Sequence, residues 1–150
     1  GTDAGVSALA LLEGMSDHGV LTSIDPDAER QAAARKVLSL ARIRSNQVRL
    51  ITGTPLDVLP KLRDGAYDMV LINGDRLEYV EYVSQALRLL RTGGIVVVND
   101  ALANNHVADP DNEDDDTLII RETLDSVLET EEFTPVLLPV GEGLLLATKS

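Results

Sequence analysis

Cysteine and tryptophan are absent from the 150 residues; phenylalanine occurs once and tyrosine three times. Without cysteine neither a disulfide framework nor a thiolate zinc site can form. Any metal must then be held by oxygen or imidazole, and a reducing cytoplasm is the expected setting. So few aromatics supply few platforms for stacked bases. Cationic residues are also scarce: 13 lysines and arginines stand against 25 acids, a formal charge of −12. Such a surface repels a polyanion over most of its area, which disfavours broad nucleic-acid binding and leaves room only for a small RNA or nucleotide patch. No apolar run nears the ~20 residues that cross a bilayer, and no charged-then-apolar leader precedes the first element, so no membrane partner is expected.

What is present is aliphatic and alternates in period. Short β-rich runs at 20–24, 48–52, 68–73, 95–99, 134–139 and 143–148 are separated by helical spacing at 4–15, 26–42, 55–64, 77–91 and 117–130. That alternation predicts an α/β fold with a mostly parallel sheet, closed by an antiparallel hairpin around Gly141-Glu142-Gly143, in one domain spanning 1–150. Punctuation agrees with it. Pro26 reads as a first-turn proline after Asp25, Thr54-Pro55-Leu56-Asp57 as a capped helix start, and Arg91-Thr92-Gly93-Gly94 as a helix end turning into a strand.

Residues 109–116, DPDNEDDD, carry six acids in eight positions. A calcium loop is excluded, because the sixth position lacks glycine and Ile120 stands where the twelfth needs glutamate. The run reads as a solvated, mobile loop whose last acids cap the helix from Thr117, with a lid over a site as the alternative. His18 and His106 are lone histidines in loops, and the motifs HExxH, GxSxG and the Walker lysine are all missing, so hydrolase and ATPase chemistry have no foothold.

Polar residues gather where strands end. Gly1 and Gly5 allow close backbone approach to a ligand, the following helix offers unpaired N–H groups to an anion, and Ser7 adds a hydroxyl. Asp25 ends the next strand about twenty residues on, where an acid in nucleoside-binding folds accepts from ribose hydroxyls; capping the Pro26 helix is its ordinary role. Gly53-Thr54-Pro55 ends the third strand on the same carboxyl edge. Asn73-Gly74-Asp75-Arg76 and Asn99-Asp100 end the next two, and polar groups there are costly unless they form turns or face a site.

In order, these pieces resemble the S-adenosylmethionine-dependent O-methyltransferases of the catechol and caffeoyl-CoA type. GTDAGVSAL resembles the family's GTGTGYSAL, and SIDPD its acid strand. GTPLDVLPKL resembles GDALEVLPxL, YDMVLINGDRLEYVEY resembles FDLVFIDADKxxYxxY, and LRTGGIVVVND resembles LxPGGLLVVDN; HVADP and LPVGEGLLLATK complete the series. The resemblance implies a Rossmann-like class I methyltransferase sheet in which Gly1, Thr2, Asp3, Gly5 and Ser7 hold the methionine end of the cofactor. By the same resemblance Asp25 and Pro26 hold the ribose, Gly53, Thr54 and Pro55 the adenine, and Asn73 and Asp75 complete the cofactor site. Asn73, Arg76 and Asp100 fall at the family's catalytic positions, and Asn73, Asn99 and Asp100 at its divalent-cation (Mg²⁺) ligands. It implies homodimers too, and front-end lid helices and a central first strand that this chain does not show.

The departures cluster on the chemistry. Two carboxylates of the cation site are amides here, leaving Asp100, or Asp75 if its loop bends, so metal dependence is an open expectation. Arg76 replaces a lysine and cannot act as a base, although it can stabilise an oxyanion or clamp an anionic substrate. Asp3 replaces a glycine and brings a negative charge to a carboxylate-binding loop. Methyl transfer needs chiefly in-line positioning, so turnover without metal is compatible with the pattern. The expected function is O-methylation of a small-molecule hydroxyl. The alternatives are a nucleoside-binding protein with a degenerate site, methylation of a hydroxylated transfer-RNA uridine, and an NAD-type domain, the last disfavoured by the lack of GxGxxG.

Overall fold

Valine, isoleucine and leucine dominate the strand-forming runs, and the helices between them present small and aliphatic residues to the sheets. The computed structural model describes residues 1–150. Two compact units, Gly1–Pro60 and Lys61–Ser150, each carry a sheet of their own. No helix is long and apolar enough to cross a membrane.

The first unit runs α1 (Val6–Gly14), β1 (Leu21–Asp25), α2 (Ala28–Leu40), β2 (Val48–Thr52) and α3 (Pro55–Val58), with a 3-10 turn following. β1 and β2 are parallel, in register from Leu21 opposite Val48 to Asp25 opposite Thr52. Parallel neighbours need a crossover, and α2 provides it. Its Gln31, Ala34 and Leu38 share one face by helical spacing and are buried. Ala8, Leu12 and Leu38 form this unit's core with Leu9, Met15, Leu21, Ile43, Val48 and Leu50 packed around them.

The second unit runs β3 (Tyr67–Ile72), α4 (Tyr79–Leu89), β4 (Leu90–Asn99), α5 (Asp115–Leu128), β5 (Phe133–Leu138) and β6 (Leu144–Lys149). Its strand order is β3-β4-β6-β5. β3 and β4 are parallel; β6 is antiparallel to both β4 and β5. The closing hairpin thus inserts its second strand against β4 and leaves β5 at the edge, where Pro135 and a run of exposed residues suit an unpaired border. α4 buries Tyr79, Tyr82, Val83, Ala86 and Leu89, an i, i+3, i+4, i+7 stripe, and packs on β3, β4 and α5.

Local departures from the sequence reading have local causes. α2 begins at Ala28, because Asp27 is the cap and accepts from the N–H groups of Glu29 and Arg30 at 2.9 and 3.0 Å; Pro26 lies before the cap rather than in the first turn. The helix predicted at 55–64 lasts one α-turn before tightening. The one predicted at 77–91 opens as a 3-10 turn, and its α-helical part ends at Leu89. β4 starts five residues early: Leu90 pairs with Tyr67, Arg91–Gly94 bulge out, and pairing resumes at Ile95 opposite Met69.

Candidate functional site

In the first unit the carboxyl end of β1 gathers the predicted residues. Asp25, only 5% exposed, accepts from the Thr2 and Asp3 N–H groups through Oδ2 at 2.9 and 3.1 Å, and from Asp27 N–H through Oδ1 at 2.9 Å. The Thr2 and Ser23 hydroxyls lie 2.6 Å apart. Gly53 N–H donates to the Asp25 carbonyl at 3.1 Å and brings the 53–55 bend to the same rim. One acid therefore ties the opening loop to the strand, a role the sequence reading missed. It does not cap α2; Asp27 does.

Burial works against the charge of Asp25, yet the N–H groups of Asp27, Asp3 and Thr2 outweigh it and hold its pKa below the ordinary 3.8. The acid is thus a carboxylate at neutral pH. Two oxygens offer about four lone-pair positions, three of which are in use, so capacity for one further donor remains.

Gly5 forms the N-cap of α1 at φ +89°, without any side-chain cap. A Cβ there would meet the Ala34 Cβ at 3.2 Å, so glycine is required both by conformation and by packing. The first-turn N–H groups of α1 consequently have no side-chain cap, and the half-buried Ser7 lies among them. Asp3 adopts φ +46° and its carboxylate lies 3.7 Å from the Arg30 guanidinium, which offsets the charge that replaced glycine. Thr54 is exposed at the N-cap of α3 and makes no side-chain cap bond, contrary to the capped start expected; Pro55 supplies the preset φ.

In the second unit, Asn73 follows β3 and Asn99 ends β4. Asn99 Nδ2 donates to Asn73 Oδ1 at 2.9 Å and to Asp100 Oδ1 at 3.1 Å. Arg76 Nη2 donates to Asp100 Oδ2 at 2.9 Å, and its Nη1 lies 3.5 Å from Asp116 Oδ2. Asp75 is turned elsewhere: its Oδ1 accepts from Leu77 N–H at 3.0 Å and caps the 3-10 turn. Tyr79, 1% exposed, has its pKa pushed up to about 12 by burial and by Asp100, so its hydroxyl keeps its proton.

A divalent cation does not fit this cluster. The carboxylate contact of Asn99 turns its amide nitrogen, a donor, toward Asp100, and the Asn73 oxygen accepts from that same nitrogen. Asp100 is the single acid left, and a guanidinium already holds its second oxygen. A cation would have to displace that guanidinium from the carboxylate oxygen it already holds. The chain has no group of three or more His, Cys, Asp or Glu side chains placed to hold a metal. His18 and His106 are both exposed.

A cavity of about 330 Å³ adjoins the cluster, lined by Arg76, Ala103, Asn104, His106, Asp114–Asp116 and Thr117. The loop beside it is strained: Asp100, Ala103, Asn104 and Asn105 all have φ between +46° and +66°, and of these Ala103 and Asn104 line the cavity. The hairpin tip supports them, since Gly143 and Glu142 carbonyls accept from Ala101 and Leu102 at 3.0 and 2.9 Å, and the Glu142 carboxylate accepts from Asn104 N–H at 3.0 Å.

The acidic run is bonded as well as solvated. Arg121 of α5 donates to the carbonyls of Val107, Asn112 and His106 at 3.1, 2.8 and 3.0 Å, and also to that of Asp109. Asp114 is the N-cap, with Asp115 and Asp116 in the first turn of a helix that starts two residues before Thr117. An arginine in the apolar stretch LIIRETL, just after six acids, was the available sequence signal. Arg121→Ala is expected to raise amide exchange across 106–112 at least tenfold while α4 stays protected, because no other side chain reaches these carbonyls; unchanged exchange would refute the clamp.

The defining sequence pattern of the O-methyltransferase family matches residues 1–150. A Mycobacterium tuberculosis protein named "Probable O-methyltransferase Rv1220c" is 42% identical over 149 residues, which are 99% of this chain and 66% of that protein. The chain thus spans about two thirds of the length of such curated relatives. A crystal structure from Corynebacterium glutamicum superposes with TM-score 0.93 at 33% identity, covering 98% of this chain and 68% of that one. The O-methyltransferase TomG of Streptomyces achromogenes, solved in complex with SAM, superposes with TM-score 0.91 at 27% identity over 100% of this chain and 70% of its own. The chain belongs to the O-methyltransferase family.

Proposed function

We propose that this chain is the S-adenosylmethionine-binding part of a methyltransferase acting on a small-molecule hydroxyl. The observation that carries this is the rim at the end of β1, where Asp25 keeps its charge, draws in the Thr2–Asp3 loop and retains room for one more donor. On this reading Asp25, with Pro26 beside it, receives one ribose hydroxyl. The uncapped start of α1 and Ser7 take the amino-acid end, and Gly53, Thr54 and Pro55 border the adenine. When bound, the cofactor supplies an electrophilic methyl group on a sulfonium. The chain's part is to hold and orient, and orientation alone is worth up to about 7–11 kcal/mol of barrier in such transfers. Asn73, Arg76 and Asp100 face the acceptor. The acidic surface favours a small molecule over transfer RNA. Dimers in a cytoplasmic setting accompany this reading.

Calorimetric titration of the full-length protein with S-adenosylhomocysteine is expected to give one site per chain in the micromolar range, with no response to NADH. Absence of binding removes the cofactor assignment. The second reading, a nucleoside-binding protein without turnover, is favoured by the amides at 73 and 99. It would show the same titration but no methylation of any phenol, catechol or transfer-RNA acceptor.

A further inference from the structure

The residues at the ends of β3 and β4 form a closed set of charges. Asp100 accepts from Asn99 on one oxygen and from Arg76 on the other, and Arg76 reaches on to Asp116 in the first turn of α5. Arg76 is therefore held by two carboxylates from different elements, with its side chain about a third exposed, at 32%. It also lines the 330 Å³ cavity. A guanidinium carries five N–H donors, and these two contacts leave others to point at an incoming oxygen. The same arrangement uses up the one acid that the resemblance leaves for a divalent cation.

Resting on the methyltransferase reading above, we infer that Arg76 supplies the fixed positive charge at the acceptor oxygen, in place of a divalent cation, and that transfer by this protein is independent of metal. The acceptor oxygen gives an electron pair to the methyl carbon, the carbon–sulfur pair returns to the sulfonium sulfur, and the acceptor proton passes to solvent. Arg76 moves no proton; it lowers the energy of the oxygen as its O–H bond weakens. Asp100 and Asp116 position it, and Asn99 fixes Asp100.

Titration of the full-length protein with Mn²⁺, followed by the loss of the free-ion electron paramagnetic signal, tests the charge set without any turnover. No saturable binding up to about 1 mM is expected, against the micromolar-to-millimolar affinities of built oxygen sites. In turnover assays, EDTA and added Mg²⁺ are expected to change kcat less than twofold. Arg76→Met is expected to lower kcat about 100-fold, the usual loss for one removed oxyanion donor, with Arg76→Lys recovering part of it and S-adenosylhomocysteine affinity unchanged. One Mn²⁺ bound per chain and displaced by Mg²⁺, activity lost in EDTA and restored by Mg²⁺, or full turnover by Arg76→Met would each overturn the inference. Failure to bind S-adenosylhomocysteine would instead sink the cofactor reading, and the Mn²⁺ result would still judge the charge set.

Discussion

Gly143→Ala is expected to destabilise the protein by about 4 kcal/mol, lowering Tm by roughly 10 °C, whereas Gly141→Ala two residues away costs about 1 kcal/mol. Both glycines have positive φ, +58° at Gly141 and +89° at Gly143, so both substitutions carry backbone strain. The difference is space. A Cβ at 141 meets nothing within 4 Å, while one at 143 would lie 2.5 Å from Leu102 Cγ and 2.8 Å from its backbone nitrogen. Leu102 cannot retreat freely, because its N–H is bonded to the Glu142 carbonyl and Ala101 N–H to that of Gly143. Moving the tip therefore also moves Asp100, and with it the partner of Arg76. Thermal denaturation of the two variants side by side checks this; equal losses would show that the close approach of strand tip and loop carries no energy.

Asp25→Ala is expected to cost about 3 kcal/mol, since it strands N–H groups of Thr2, Asp3 and Asp27 that now share one carboxylate. Asp25→Asn should lose less. Its amide can accept from one side only, so it keeps either the Asp27 contact or the pair from the opening loop. The pH dependence has a definite sign. Folding lowers the pKa of this acid from 3.8, so its stabilisation is fully present above that value and disappears as pH falls through the lower, folded-state pKa. The stability gap between wild type and Asp25→Asn, measured by urea denaturation, should be flat from neutrality to about pH 5 and should narrow below about pH 4. A gap that widens on acidification would mean that Asp25 is protonated in the folded protein.

How far the sequence could be read depends on the range of the forces involved. Strand and helix positions follow from local spacing, and β2 lies at the predicted 48–52 because Val48, Leu50, Ile51 and Thr52 make a short β-rich run bounded by turn residues. Helix starts were misread by one or two residues where two acids compete for one cap, as Asp25 and Asp27 do; only the fold decides that Asp25 turns back toward Thr2. The insertion of β6 between β4 and β5 is set by pairing across more than forty residues, for which the hairpin motif itself holds no information. The cluster at Asn73, Asn99 and Asp100 was legible because polar residues ending apolar parallel strands stand out. Its wiring was not: that Arg76 reaches both Asp100 and Asp116, and that Asp75 is spent on a cap, depends on side-chain directions at elements far apart in sequence. Arg121 stood out in the apolar stretch LIIRETL, but which four carbonyls it holds depends on how the loop folds back onto α5.

The most direct measurement is a crystal structure of the full-length protein grown with S-adenosylhomocysteine. One ribose hydroxyl is expected within hydrogen-bond distance of the Asp25 carboxylate, with the adenine against Thr54 and Pro55 and the amino-acid end over the start of α1. A nucleoside seated elsewhere, with Asp25 touching only Thr2, Asp3 and Asp27, would contradict the reading of this rim as a cofactor site.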